Sequence, residues 1–291
     1  MSFEAVAFEG RLAERLKRPP ERRPGRVSLF WLGQAGFVVE AAGRRLLIDP
    51  YLSDSLARKY AGTATPHERM APVPVQPDKL GPVDVVLLTH RHTDHMDPDT
   101  LRPLAERLPD LRFVVPAAEI EEASRRTGVG AERLIPMDAG ERRAVLPGIA
   151  VRAVRAAHET LEADREGRFR FLGYAVETAG ATVFHSGDTV PFEGQAAEVR
   201  VLNADLALLP VNGRSEALAS AGIAGNMTMA EAVELCRAAG IPAMLAHHYG
   251  MFAFNTAAPE AIDRIAAAAA PLRAGRARFG TEYRLGPVDE A

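Results

Sequence analysis

The nine residues Thr89-His90-Arg91-His92-Thr93-Asp94-His95-Met96-Asp97 crowd three imidazoles and the Asp94 carboxylate into one short stretch. Before it, residues 83–88 form an apolar, β-branched run with the character of a buried strand. After it, Asp97 and Pro98 give the two signals of a helix start, a capping carboxylate and a proline at the first helical position. The cluster therefore occupies the loop where a strand hands over to a helix, and a loop on rigid scaffold can aim several side chains at one point. Imidazole nitrogen with carboxylate oxygen is the donor set of zinc, iron and other divalent first-row metals. A polar, His-rich surface loop is the competing reading, and the His-x-His-x-Asp-His spacing at a strand's end argues against it.

Three more short apolar runs end in the same kind of residue. Residues 151–157 lead into His158, residues 181–184 into His185-Ser186-Gly187-Asp188-Thr189, and residues 243–246 into His247-His248-Tyr249-Gly250. Seven of the eight histidines fall in these four stretches and only His67 lies elsewhere, which scattered placement would not give. A further strand-like run, residues 45–48, ends in Asp49.

The elements that must position these residues follow from periodicity and punctuation. Residues 27–32, 37–40 and 45–49 read as strands of an antiparallel meander, divided by short glycine-containing turns. Residues 51–81 form a long, Pro-rich connection, expected to be a lid over the metal loop. Helices are expected at 98–108 and 117–126 with a strand at 111–115, then strands at 142–146, 150–156, 169–177, 182–185 and 205–209. A helix near 228–239, a strand at 243–246 and a helix near 259–270 complete the pattern. Two packed sheets with helices outside would bury it. Residues 1–26 are expected to be a helical arm, with Phe3, Val6, Ala7 and Gly10 on one stripe, packed on the body or on a second copy as a homo-oligomer contact. Residues 27–291 are expected to form one domain.

Bulk properties exclude several classes. A net charge of −3, with arginines scattered and lysine only at 17, 59 and 79, announces neither nucleic acid nor an anionic membrane as partner. The single cysteine, Cys236, excludes an internal disulfide and a Cys-rich zinc knuckle, and its helical neighbours make it a small core residue. With no basic-then-apolar signal segment and no apolar run of membrane length, a cytoplasmic protein acting on a small molecule is expected.

In type and order, Asp49, His90-x-His92-x-Asp94-His95, His158, Ser186-Gly187-Asp188-Thr189 and His247/His248 resemble the metallo-β-lactamase superfamily, over residues 27–286. Trp31-Leu32-Gly33, Ile48-Asp49-Pro50-Tyr51, His185-Ser186-Gly187-Asp188 and the double histidine look like its L-ascorbate-6-phosphate lactonase branch. The segment His248-Tyr249-Gly250-Met251-Phe252 is similar to the last ligand motif of the N-acyl-phosphatidylethanolamine phospholipase D branch. The resemblance implies an α/β, four-layer αββα sandwich holding two adjacent divalent metals, zinc or manganese. It implies that His90, His92 and His158 hold one metal, that Asp94, His95 and His248 hold the other, and that Asp188 bridges them. Asp49 would be buried behind the metal loop, and His185 would be a structural hydrogen-bonder. His247 and His248 could each be the last ligand. The following Tyr-Gly-x-Phe selects His248, leaving His247 pointing away or standing over the substrate as a proton donor. Asp94 and His247 are the expected catalytic residues.

Two cations of this kind share a water, lower its pKa toward neutrality and present hydroxide as nucleophile, while stabilising the developing oxyanion. The expected function is a lactonase-like, metal-dependent hydrolase of an ester, lactone or phosphoester in a small anionic substrate. A phosphodiesterase or nuclease of the same superfamily is the alternative, and a nuclease would need a basic groove that is not visible. A di-iron redox protein would replace imidazoles by acidic residues, whereas this loop keeps its imidazoles. Expected substrate contacts are Arg58, Tyr60, His67 and Arg69 in the lid, with Asn212, Arg214, Asn226 and Tyr249 in later loops.

Overall fold

The computed structural model describes residues 2–287; Met1 and residues 288–291, the outermost ends of the expected arm and domain, lie outside them. The first strands in chain order are β1 (Ser2–Ala7), β2 (Val27–Gly33), β3 (Gly36–Ala41), β4 (Arg44–Ile48), β5 (Val85–Leu87), β6 (Arg112–Pro116) and β7 (Leu134–Met137). A second set follows: β8 (Arg142–Leu146), β9 (Ile149–Arg155), β10 (Leu172–Thr178), β11 (Thr182–His185), β12 (Leu206–Pro210), β13 (Ala243–His247) and β14 (Arg273–Arg276). The last strand, β15 (Thr281–Gly286), returns to the first set between β1 and β2, giving sheets of eight and seven strands.

Both sheets follow one plan. The meander β2-β3-β4 is antiparallel and then β4-β5-β6-β7 run parallel. Likewise β8 to β11 pair antiparallel and β11 to β14 parallel. Alternation of side chains explains why β2 to β6 carry apolar residues on both faces. Val27, Leu29, Trp31, Phe37, Val39, Leu46, Ile48, Val85, Leu87 and Val114 face the second sheet, while Phe30, Leu32, Val38, Leu47, Val86, Phe113 and Val115 face the helices.

The helices are α1 (Leu12–Lys17), α2 (Ser55–Lys59), α3 (Pro98–Arg107), α4 (Ile120–Thr127), α5 (Gln195–Arg200), α6 (Glu216–Ser220), α7 (Met229–Ala239) and α8 (Pro259–Ala267). α3 and α4 cover the first sheet, and α5, α7 and α8 cover the second. This is the four-layer αββα arrangement that the resemblance implied. Cys236 lies fully buried on α7, its thiol pushed up to about 12 by that burial.

The N-terminal segment corrects the expectation of a helical arm over residues 1–26. Ser2–Ala7 is a strand paired antiparallel with β15, and only Leu12–Lys17 is helical. The partner strand lies at the opposite end of the chain, so local periodicity gave no sign of the pairing. The segment is also held by Arg45, which is fully buried. Its guanidinium donates to Glu40 Oε1 at 2.6 and 2.9 Å, to the carbonyls of Leu16 (2.8 Å) and Arg18 (2.7 Å), and to Pro82 O at 3.2 Å. Gly81 is required there, because a Cβ would stand 2.2 Å from Leu16 O.

Candidate metal centre

The residues singled out in the sequence lie at the carboxyl ends of strands, where open α/β sheets place their ligands. Asp49 follows β4, the metal loop follows β5, His158 follows β9, Asp188 follows β11, and His248 follows β13. Three local devices set the loops. Asp97 caps α3, accepting from Asp99 N at 3.2 Å and Thr100 Oγ1 at 2.6 Å, while the amides of His95 and Met96 both donate to His92 O and fold the loop back. Gly187, at φ +63°, lets Asp188 approach the metal loop, since a Cβ there would stand 2.7 Å from Leu172 O and 3.0 Å from Thr89 Cβ. Thr189 Oγ1 accepts from Ala157 N at 3.0 Å and ties the Asp188 and His158 loops together.

All seven residues expected as ligands come together. His90, His92 and His158 form one group, Asp94, His95 and His248 another, and His90, His95 and Asp188 a third that links them; within each, donor atoms lie within 4.8 Å of one another. His95 Nε2 is 3.3 Å from Asp188 Oδ1 and His248 Nε2 is 3.2 Å from Asp188 Oδ2, while His158 Nε2 and His92 Nδ1 face each other at 3.1 Å. His90 Nε2, His95 Nε2 and Asp188 Oδ1 are buried with no hydrogen-bond partner. Buried polar atoms are ordinarily paired, so this convergence of unpaired lone pairs fits divalent cations.

A buried hydrogen-bond chain selects the tautomers. Asp49, fully buried at φ +42°, accepts from Thr89 N (2.8 Å), Thr89 Oγ1 (2.6 Å) and His95 Nδ1 (2.7 Å). With its proton given to Asp49, Thr89 Oγ1 accepts from His90 Nδ1 at 3.1 Å. Both rings carry their proton on Nδ1 and turn the Nε2 lone pair toward the cluster.

Electrostatics divide the two groups. Burial, reinforced by neighbouring histidines, holds His90 well below its usual range; burial lowers His92 and brings His158 to about 4. These three are neutral imidazoles near neutrality. Burial also opposes charge on His95, but Asp188, Asp49 and Asp94 outweigh it and hold the ring well above its usual value. Asp188 and Asp94 stay ionised: burial raises each, and His248 and His95 more than reverse it.

His247 does not take the expected position of proton donor. Side chains alternate along β13, which turns His247 back into the sandwich, fully buried, with its ring stacked on His185 at 4.7 Å and edge-on to Phe37. It does not line the cavity above the cluster. His248 departs from the strand at φ +59° and does line it. His185 is structural: Nε2 donates to Ala35 O at 2.8 Å and Nδ1 accepts from Gly187 N at 3.0 Å.

The cavity, about 450 Å³, is bordered by His92, Asp94, His158, Asp188 and His248, and by Leu56, Lys59, Tyr60, Thr65 and His67 of the long connection. Of the expected substrate contacts, Tyr60 and His67 reach it, stacked on each other at 4.2 Å, with His67 edge-on to Phe252 and Phe254. The others are engaged elsewhere. Arg58 pairs with Asp99, Arg214 with Glu231 (2.6 Å), and Arg69 donates to the carbonyls of Tyr51 and Ser53. Asn212 donates to Asn255 and accepts from Asn226, and Tyr249 donates to Ala277 O. Residues missed in the sequence include Gln34, Arg91, Arg126, Phe171 and Ile223, all on the cavity wall. For Gln34 a signal existed: it stands in a tight turn between two glycines, where Asn or Gly is usual.

A family model described as "Beta-lactamase superfamily domain" matches residues 44–249. A UPF0173 metal-dependent hydrolase of Rubrobacter xylanophilus is 28% identical over 248 residues, which cover 82% of this chain and 88% of the relative. An isothiocyanate hydrolase from Delia radicum gut bacteria shares the fold at TM-score 0.69 and 17% identity, over 89% of this chain and 99% of that one. Igni18, a metallo hydrolase of Ignicoccus hospitalis, does so at TM-score 0.64 and 21% identity, over 89% and 98%.

Proposed function

Since this chain belongs to the β-lactamase superfamily, as a metal-dependent hydrolase, we propose that it holds two divalent ions and cleaves an ester, lactone or phosphoester of a small anionic molecule. The observation that carries this reading is the convergence of His90 Nε2, His95 Nε2 and Asp188 Oδ1, all buried and unpaired, within three overlapping donor groups. His90, His92 and His158 would hold one ion, Asp94, His95 and His248 the other, and Asp188 would lie between them. Five imidazoles and two carboxylates suit zinc better than manganese. When bound, such a pair lowers the pKa of a shared water and neutralises charge developing on an attacked oxygen.

The protein's own groups do the rest. Asp49 and Thr89 keep the lone pairs of His90 and His95 aimed inward. Asp94, ionised and bordering the cavity, stands where a proton leaving the nucleophile can be accepted. Lys59 and Arg91 border the same cavity and supply the positive charge that an anionic substrate requires. Tyr60, His67, Phe252 and Phe254 form its apolar side and help exclude water.

Replacing Asp188 or His90 by Ala tests the assignment. Both variants should lose bound metal together with hydrolytic activity, and full turnover in either would sink it.

A further inference from the structure

Gln34 occupies the two-residue turn between β2 and β3 at φ +48°, a left-handed setting that Gly or Asn adopts more readily. A residue that breaks a local rule of this kind marks a place to look for a role outside the turn. Its carboxamide is buried, 2% exposed, and lies across the Asp94–His95–His248 group. Nε2 donates to Asp94 Oδ2 at 2.8 Å and stands 3.1 Å from His248 Nε2. That Oδ2 is the oxygen found 3.7 Å from His95 Nε2 and 3.6 Å from His248 Nε2. The reverse orientation of the amide would set its oxygen against the carboxylate, so charge selects the one described. The turn itself does not need the side chain. Gln34 O accepts from Trp31 Nε1 and from His248 N, both at 3.0 Å, and these main-chain bonds pin the turn to the end of β13.

We propose that Gln34 is a positioning residue for the second metal site. Its amide fixes the rotation of the Asp94 carboxylate, so that Oδ2 faces His95 and His248. One polar group behind the cluster thus serves His90 and His95, and another serves Asp94. The role rests on the reading of these side chains as ligands given above.

The test is titration of the metal-free protein with Zn²⁺ by calorimetry and with Co²⁺ by absorption, in wild type, Gln34→Gly and Gln34→Asn. Both substitutions suit a left-handed turn and keep the main-chain bonds, and neither side chain reaches Asp94. The expected result is two binding events in wild type, with one weakened about tenfold or more in both variants and the other unchanged. The unfolding temperature of the metal-free variants should stay close to that of wild type. If neither event weakens, or if both weaken in parallel with a fall in unfolding temperature, Gln34 is a turn residue only and the proposal is overturned. A wild type that takes up neither cation overturns the ligand reading beneath it.

Discussion

Replacing Asp49 by Asn isolates the second-layer hydrogen bonding from everything else at the centre. Asn tolerates the left-handed backbone that Asp49 adopts at φ +42°, so the loop keeps its shape. The chemistry changes because one acceptor oxygen becomes a donor. Oδ2 takes Thr89 Oγ1 and His95 Nδ1, and Oδ1 takes Thr89 N. With the amide nitrogen in the Oδ1 place, the buried Thr89 N–H faces another donor, a loss of about 1–3 kcal/mol. With it in the Oδ2 place, Thr89 and both rings must reverse, which puts protons on His90 Nε2 and His95 Nε2 where a cation needs lone pairs. The first orientation lowers the stability of the metal-free fold, and the second should lower metal affinity about 10- to 100-fold, or about 1.4–2.7 kcal/mol. Competition against a chromophoric chelator for Zn²⁺ measures the affinity, and calorimetry in excess chelator measures the stability of the metal-free fold. Wild-type affinity and wild-type stability together in the Asn variant would refute the tautomer argument.

Three further outcomes follow from other parts of the molecule. Arg45→Ala leaves Glu40 buried beside only the more distant Arg15, and should cost about 3–5 kcal/mol; limited proteolysis should then cut first between residues 8 and 18, and a wild-type pattern would contradict the anchoring. Glu231, which completes the capping box of α7, is drawn down to about 2 from its ordinary 4.5, chiefly by its hydrogen bond from Arg214. A lowered carboxyl pKa stabilises the fold above the unfolded value and loses that contribution as pH falls through the folded one. The unfolding free energy of Glu231→Gln, read from denaturation, should therefore lie below wild type by about 1 kcal/mol near neutrality, after discounting for solvent screening. The gap should close between about pH 4.5 and about pH 2. The carboxylates around His95 favour a proton on its ring, and a cation would compete for the same Nε2, so Zn²⁺ affinity should fall as pH is lowered. Competition against a chelator across a pH series reads the change, and an affinity independent of pH would contradict the competition.

What the sequence made legible was whatever local pattern encodes. Strands buried on both faces announce themselves as mainly apolar runs, and the candidate ligands stand at their ends, so β2 to β6 and the clusters at His90, His158, Asp188 and His248 could be read directly. Asp97 and Pro98 marked the start of α3 for the same reason. Long-range pairing was not legible. Ser2–Ala7 carries a helix-like spacing of apolar residues and becomes a strand only because β15 offers it an edge. β14, Arg273–Arg276, has no apolar alternation and is held as an edge strand by β13. Leu134–Met137 contains Pro136 and is tolerated because β7 is also an edge. The Tyr-Gly-x-Phe after it selects His248, but whether His247 turns away or stands over the substrate depends on the strand's alternation, which required knowing where β13 ends. The arginines of the expected substrate site were misplaced because ion-pair partners such as Asp99 and Glu231 are chosen in three dimensions.

The central claim, a metal centre that performs hydrolysis, is met most directly by measuring divalent metal content in the purified protein alongside turnover of a carboxylic ester, a sugar-phosphate lactone and a phosphodiester. The account predicts about two ions per chain, with ester or lactone cleavage that disappears on chelation and returns on reconstitution. Turnover of the phosphodiester alone would move the activity to the phosphodiesterase reading. A protein that binds no metal even after reconstitution would contradict the account at its root.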